Sequence, residues 1–153
     1  MAKRVYVDNS VIGGIHDEEF SKHSEALFRE FRIGLYIPVI SDITESEILG
    51  APEQVKKSFY DLKAFSEFIE PTVEAFVLAR RYLKEGNLTD RMMSDCLHIA
   101  TASVHMVNIM ASWNFRDIVN VNKIIIFHAV NLKMGYPLIE IRSPRELLHE
   151  ENI

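Results

Sequence analysis

The chain has 153 residues, 48% of them hydrophobic, and this length and composition predict one domain, 1–153, with a continuous apolar core. Its formal net charge of -5 and isoelectric point near 5.7 argue against nucleic-acid binding through a large basic surface, although they allow a small basic rim. The single cysteine, Cys96, and a start that runs straight into a strand predict a cytoplasmic protein, and no apolar run approaches the roughly 20 residues of a membrane span.

The periodicity of apolar residues predicts alternating strands and helices along the chain. Three strand-to-helix alternations favour a parallel sheet with helices on both faces. In chain order we predict strand 4–7, a flexible connection 11–15, helix 20–33, strand 35–40, helix 42–49, helix 52–65, an extended piece 68–71, helix 72–84, helix 90–105, strand 107–113, a β-rich run 123–127, a short helix 129–135, strand 138–141 and a terminal helix that starts at Ser143.

The first predicted strand, 4–7, runs directly into Asp8, Asn9 and Ser10. In open α/β sheets, ligands collect beyond the carboxyl ends of the strands, which is where Asp8 would project. Taken alone, Asp8 or Ser10 is equally well explained as the cap of a following helix.

Glu47 is the next acid without an obvious structural role. Asp42 and Glu45 have the spacing of a capping box, which explains Glu45. Glu47 instead lies near the apolar side of its helix, where an unpaired carboxylate would be costly. A solvated position at the edge of that apolar stripe is the alternative.

Asp95 lies in the apolar company of helix 90–105, in its first turn if the helix starts near Ser94. There the positive end of the helix dipole would keep a carboxylate ionised and able to bind metal. Asp90 is more simply a cap. His98 and His105 are predicted to be satisfied helix histidines, because no second histidine stands at a metal-binding spacing with them.

The pattern at Asp8 is repeated after strand 107–113, where Asn114 and Asp117 follow an apolar run. A turn residue and a cap would explain these two equally well. Nearby, Arg116 is predicted to contact substrate. A basic cluster of Arg80, Arg81 and Lys84 could also contact phosphates, although the helix dipole alone would explain its position at a helix end.

A parallel sheet could bring Asp8, Glu47, Asp95, Asn114 and Asp117 together from four separate segments. Clustered carboxylates repel one another and would partly protonate unless a positive charge lies among them. Mg²⁺ and Mn²⁺ prefer such oxygen ligands, and they can activate water for attack on a phosphodiester. The sequence has no Cys-His pair, serine triad motif or phosphate-binding glycine loop to suggest another mechanism.

Four segments, taken in order, resemble the motifs of the PIN domain family over about residues 4–118. Many members of this family are the ribonuclease toxins of bacterial VapBC toxin-antitoxin pairs. The segments are YVDNSVI at 6–12, SEIL at 46–49, SDCLHIATA at 94–102 and ASWNFRD at 111–117.

The resemblance implies an α/β, PIN-like three-layer fold with a central, mainly parallel sheet of about four to five strands flanked by helices. It implies a ribonuclease in which Asp8, Glu47 and Asp95 hold Mg²⁺ or Mn²⁺, with Asn114 and Asp117 in the fourth motif as further metal ligands. We also expect catalytic participation of Asp117 and substrate contacts from Ser10. The implied partners are an RNA substrate, a small antitoxin protein and a second copy of the chain in a homodimer.

The chain departs from the family pattern in the fourth motif and after it. The family usually places an acid directly after the strand, whereas here Asn114 holds that position and the acid falls at Asp117. The choice between one and two metal ions therefore stays open, as does catalysis. Residues 120–135 form a longer stretch than compact toxins usually need, and they are predicted to carry a contact peculiar to a subgroup.

Two alternatives to a ribonuclease stay open at this point. One is a PIN-fold binding or regulatory module without catalytic turnover, which the asparagine at position 114 suggests. The other is a metal-dependent phosphatase. It is the weaker alternative, because Asn9 and Ser10 leave no second aspartate two positions after Asp8, where aspartyl phosphatases usually place their general acid.

Overall fold

The computed structural model describes residues 1–149 and 151, and within them five parallel strands form one sheet in the order β3-β2-β1-β4-β5. β1 lies at the centre, paired with β2 on one side and β4 on the other. The predicted mainly parallel sheet is thus confirmed. The strands are β1 (Lys3–Val7), β2 (Tyr36–Ser41), β3 (Glu67–Ile69), β4 (Ile109–Ala111) and β5 (Glu140–Arg142).

Helices cover both faces of the sheet, because each face presents buried apolar side chains. Along β1, Tyr6 belongs to one core, whereas Val5 and Val7 belong to the other, as the alternation of a strand requires. The helices are α1 (Asn9–Gly14), α2 (Ser21–Arg32), α3 (Asp42–Ile48), α4 (Glu53–Lys63), α5 (Val73–Glu85), α6 (Met93–Val104), α7 (Val121–Met134) and α8 (Pro144–Leu147), and a short 3-10 turn, Asp90–Met92, precedes α6.

The two cores divide the helices between the faces. Residues of α5, α6 and α7 pack in the core that contains Tyr6, whereas α1, α2 and α4 supply the core that contains Val5 and Val7. The result is the three-layer arrangement predicted above. Because the apolar residues of α2 and α4 such as Phe28, Phe31 and Phe59 are buried, packing within the chain accounts for their helical spacing.

The prediction of a β-rich run at 123–127 followed by a short helix at 129–135 is wrong, since a single helix, α7, covers this stretch. The side chain of Asn120 caps its start by accepting hydrogen bonds from the amides of Asn122 and Lys123. Gly135, with φ of 85°, ends it in the left-handed conformation. The run of isoleucines favours a strand on local propensity, but the Asn120 cap and the burial of Phe127 stabilise a helix.

Two local predictions at helix starts also need correction. Residues 11–15 are not a flexible connection, because α1 begins directly after Asp8. The capping box of Asp42 and Glu45 is absent: Ser41 caps α3 by accepting from the amide of Thr44. Glu45 instead accepts a hydrogen bond from Nζ of Lys63 at 2.8 Å. The terminal helix predicted to start at Ser143 is present as α8, and Ser143 forms a capping box with Glu146.

None of the helices in the described part of the chain is both long and apolar enough to cross a membrane.

Candidate metal site

The carboxyl ends of β1, β2 and β4 lie side by side, because these strands are neighbours in the sheet. Asp8 follows β1 directly, α3 follows β2 and carries Glu47, and the segment that contains Asn114 follows β4. Asp95 comes to the same region in the first turn of α6. The order of the strands therefore explains why residues so far apart in sequence share one site.

Asp8 is buried, with 6% of its surface exposed, and it serves both as a helix cap and as a site residue. Its Oδ1 accepts hydrogen bonds from the amide and hydroxyl of Ser10, at 3.1 and 2.5 Å, and from the amide of Val11. Its Oδ2 accepts from the hydroxyl of Ser112 at 2.7 Å. Burial raises the pKa of Asp8, while the bonds from Ser10 and Ser112 oppose that rise.

The Ser10 hydroxyl fixes the loop after β4 to the start of α1. It donates to Asp8 and accepts from the backbone amide of Trp113 at 2.8 Å. The indole of Trp113 in turn donates to Ser24 at 2.9 Å, close to Gly14. A Cβ at Gly14 would come within 2.6 Å of the Ser24 hydroxyl, so only glycine fits there. In this structure Ser10 therefore orients Asp8 and the β4 loop, and any contact with substrate would be additional.

The raised pKa of Asp95 reflects the negative charge concentrated at the site. Partial burial and the nearby charges of Asp8, Asp117 and Glu47 together raise its pKa to about 6, while His98 opposes them. Four carboxyl groups thus lie within electrostatic reach of one another. A cation bound among them would relieve this repulsion.

Glu47 is held by a buried chain of polar groups. Its Oε1 bonds with Nε2 of His98, which is only 2% exposed. A carboxylate only accepts, so Nε2 carries a proton, and Nδ1 lies within hydrogen-bond distance of the hydroxyl of Tyr6, at 2.5 Å. Tyr6 lies 2.6 Å from the hydroxyl of Ser41. Burial raises the pKa of Tyr6, which keeps its hydroxyl protonated as a donor.

The side chain of Glu47 is 38% exposed, so it occupies the solvated edge of the apolar stripe of α3 while its Oε1 bonds to buried His98. Both ring nitrogens of His98 have hydrogen-bond partners, as predicted. One of these partners is the candidate site residue Glu47, and nothing in the sequence indicated this pairing. The second oxygen of Glu47, Oε2, accepts a long hydrogen bond from the Ser94 hydroxyl at 3.4 Å and has a further lone pair for an ion.

The fourth motif is arranged differently from the rest. Oδ1 of Asn114 accepts from the backbone amides of Arg116 and Asp117, at 3.2 and 3.0 Å, so it caps the turn after β4. Asp117 is buried and forms ion pairs with Arg91 and Lys123. The bond from Arg91 holds the pKa of Asp117 below its usual value.

Sequence reasoning missed both basic partners of Asp117. Arg91 stands four residues before Asp95, a spacing that could have suggested a charge near the site. Lys123 gave no such signal, since its segment was predicted as a strand. Neither of the basic residues that the sequence did single out is a partner of Asp117. Arg116 is exposed, and Arg81 on α5 pairs with Glu85.

No group of three or more His, Cys, Asp or Glu side chains is ready to hold a metal ion within residues 1–149 and 151. The donor chemistry nevertheless fits a divalent cation, because Asp8 and Asp95 are carboxyl groups whose raised pKa a cation would lower. Glu47 could join them through Oε2 while Oε1 stays on His98. Asp117 is less suited, since both of its oxygens bond to Arg91.

No protein-family profile and no curated protein matches the sequence. Solved structures do match the fold over nearly its full length. A chain in the crystal structure of VapBC2 from Rickettsia felis bound to a DNA fragment from their promoter is 14% identical, with a TM-score of 0.54, and the match covers 92% of this chain and 98% of that one. A chain in the crystal structure of FitAcB from Neisseria gonorrhoeae is 16% identical, with a TM-score of 0.58 and coverage of 94% and 99%. At these identities the likeness concerns the fold, and the chain has the PIN-type α/β fold that its four motifs predicted.

Proposed function

We propose that the protein is a metal-dependent endoribonuclease of the VapC toxin type. The observation that carries the proposal is the group of mutually repelling carboxyl groups around Asp95, placed at the carboxyl ends of a parallel sheet with a PIN-type fold. This is the region where open α/β sheets bind ligands, and the charge there favours a cation.

In this proposal Asp8 and Asp95 bind Mg²⁺ or Mn²⁺, with Glu47 as the third acid. When bound, such an ion lowers the pKa of a water for in-line attack and stabilises negative charge on the phosphodiester. Ser10 and Ser112 hold Asp8 in place through its two oxygens. His98 fixes Glu47, and Arg116, which is exposed, would contact a phosphate of the RNA.

We also propose that the protein pairs with a small antitoxin and acts as a homodimer. The matched structures support a toxin-antitoxin partnership, because VapBC2 and FitAcB are each named as a complex of two proteins. Co-expression with the product of an adjacent small gene would test the partnership. Co-purification of the two proteins is expected, and a chain that purifies alone from such co-expression would contradict it.

RNA cleavage tests the enzymatic part of the proposal. A mixed panel of structured and single-stranded RNAs is incubated with wild type, Asp8→Asn and the control Asp61→Asn, with manganese or with chelator. Asp61 is an exposed acid on α4 whose partner is Lys57. Cutting by wild type and Asp61→Asn with manganese alone is expected. Wild-type cleavage that persists in chelator would refute the metal mechanism.

A second candidate function is a binding module without turnover, and one arrangement favours it. Asn114 caps a turn and Asp117 is bound to basic side chains, so the fourth motif offers no free acid. Calorimetry separates the candidates: a folded protein that binds no manganese at millimolar concentration would favour the module over the nuclease.

A further inference from the structure

Asp117 is clamped by two basic side chains that come from different elements. Nη1 of Arg91, in the turn before α6, lies 2.8 Å from Oδ2, and its Nη2 lies 3.3 Å from Oδ1. Nζ of Lys123, in the first turn of α7, lies 3.6 Å from Oδ1. Only 6% of the Asp117 side chain is exposed, whereas half of Arg91 is. The carboxylate is therefore enclosed, whereas Arg91 is open to solvent.

The clamp lies at the edge of the acidic site. Asp117 is one of the charges that raise the pKa of Asp95, and the charge of Asp95 also acts on Arg91. A metal ion on Asp117 would have to approach two fixed cations, and it would have to displace a two-point guanidinium contact. Those costs are absent at Asp8, where every hydrogen-bond donor is neutral.

We propose that Arg91 and Lys123 take the place of a second metal ion, so that the site binds one divalent cation on the Asp8 and Asp95 side. This inference rests on the proposed function, because it concerns how the same site is charged. Asp117 then acts as a positioning residue that holds the two basic side chains at the site. Arg91 uses two of its five N–H donors on Asp117 and keeps others for a phosphate oxygen of the substrate.

Titration calorimetry with MnCl₂ on the full chain tests the number of ions without relying on activity. The variants are Asp117→Asn, Arg91→Lys and the double variant Arg91→Gln with Lys123→Gln. Arg81→Gln serves as a matched control, because Arg81 also pairs with an acid, Glu85, but on α5. Thermal unfolding of each variant identifies any that does not fold, and the single variant Arg91→Gln replaces the double one in that case.

The proposal predicts one Mn²⁺ per chain for wild type, Arg81→Gln and Arg91→Lys. Asp117→Asn should also bind one ion, with a dissociation constant within about threefold of wild type. Removing the positive charges at 91 and 123 should release Asp117 and allow a second ion to bind.

Two Mn²⁺ ions in wild type, one of them lost in Asp117→Asn, would overturn this inference while leaving the metal-dependent function intact. A double variant that still binds a single ion would also count against it. If neither wild type nor any variant binds Mn²⁺, the proposed function fails and the inference fails with it.

Discussion

Asp8 and Asp117 are buried to nearly the same extent, 6% and 4% exposed, and each follows one of two neighbouring strands at the centre of the sheet. Their pKa values nevertheless move in opposite directions. Burial raises the pKa of Asp8, whose partners are hydroxyls and amides, whereas the bond from Arg91 lowers that of Asp117. The two side chains are equally inaccessible to solvent, so the stronger desolvation of Asp8 and the positive charge beside Asp117 together explain the opposite directions.

This contrast divides the site into two halves. On the Asp8 half, the hydrogen-bond donors to Asp8 are neutral, and the negative charges around Asp95 outweigh the opposing effect of His98. On the Asp117 half, Arg91 and Lys123 already supply the compensation. A cation is needed on the first half only, and the predictions below test that division.

The largest effect is expected from removing the partner of Glu47. His98→Leu should weaken Mn²⁺ binding by roughly 10- to 100-fold, because partners that orient a metal ligand are typically worth that much. Calorimetry measures the change, and His105→Leu is the control, since its ring bonds the backbone oxygen of Glu70 away from these acids. Tighter binding by His98→Leu would mean that His98 holds Glu47 away from the ion.

Matched asparagine variants should move stability in opposite directions on the two halves. The pKa of Asp95 is about 6 in the folded chain against 3.8 as the reference value, so the folded state binds more protons and loses stability as pH rises through this window. At pH 7.5 in chelator, Asp95→Asn should therefore raise the free energy of unfolding by roughly 1 to 3 kcal/mol.

Asp117→Asn should lower the free energy of unfolding by about 1 to 2 kcal/mol under the same conditions, because it removes charged hydrogen bonds to Arg91. Urea denaturation measures both changes. Changes of the same sign in the free energy of unfolding of the two variants would contradict the division of the site into two halves.

Acid should weaken metal binding through Asp95. Protons compete with Mn²⁺ for this carboxyl group below its pKa of about 6, so the dissociation constant should rise by about tenfold for each further pH unit. Calorimetry at pH 7 and pH 5 measures the rise. Asp117→Asn should shift this rise to lower pH, since the charge of Asp117 is one of the causes that raise the pKa of Asp95. A pH-independent affinity in wild type would exclude Asp95 as a ligand.

The central sheet and the Asp8 half of the site were predictable from sequence because local signals carried them. The hydrophobic pattern predicts the strand that ends before Asp8 and the helix whose first turn carries Asp95. Their convergence then followed from the parallel topology.

The Asp117 half was not predictable, because its partners depend on tertiary packing. Lys123 approaches Asp117 only because residues 121–134 are helical, and the isoleucines there favour a strand on local propensity. The pairing of Glu45 with Lys63 likewise joins two helices, and it replaced a plausible local cap. In both cases the ion pair depends on how two elements pack together, which a local rule cannot predict.

Anomalous X-ray diffraction from crystals soaked in Mn²⁺ tests the central claim most directly. The account predicts one manganese peak at the carboxyl end of β1, bonded by oxygens of Asp8 and Asp95, with Asp117 still paired with Arg91. A peak on Asp117, or crystals of the folded protein without a peak at Asp8 and Asp95, would contradict it.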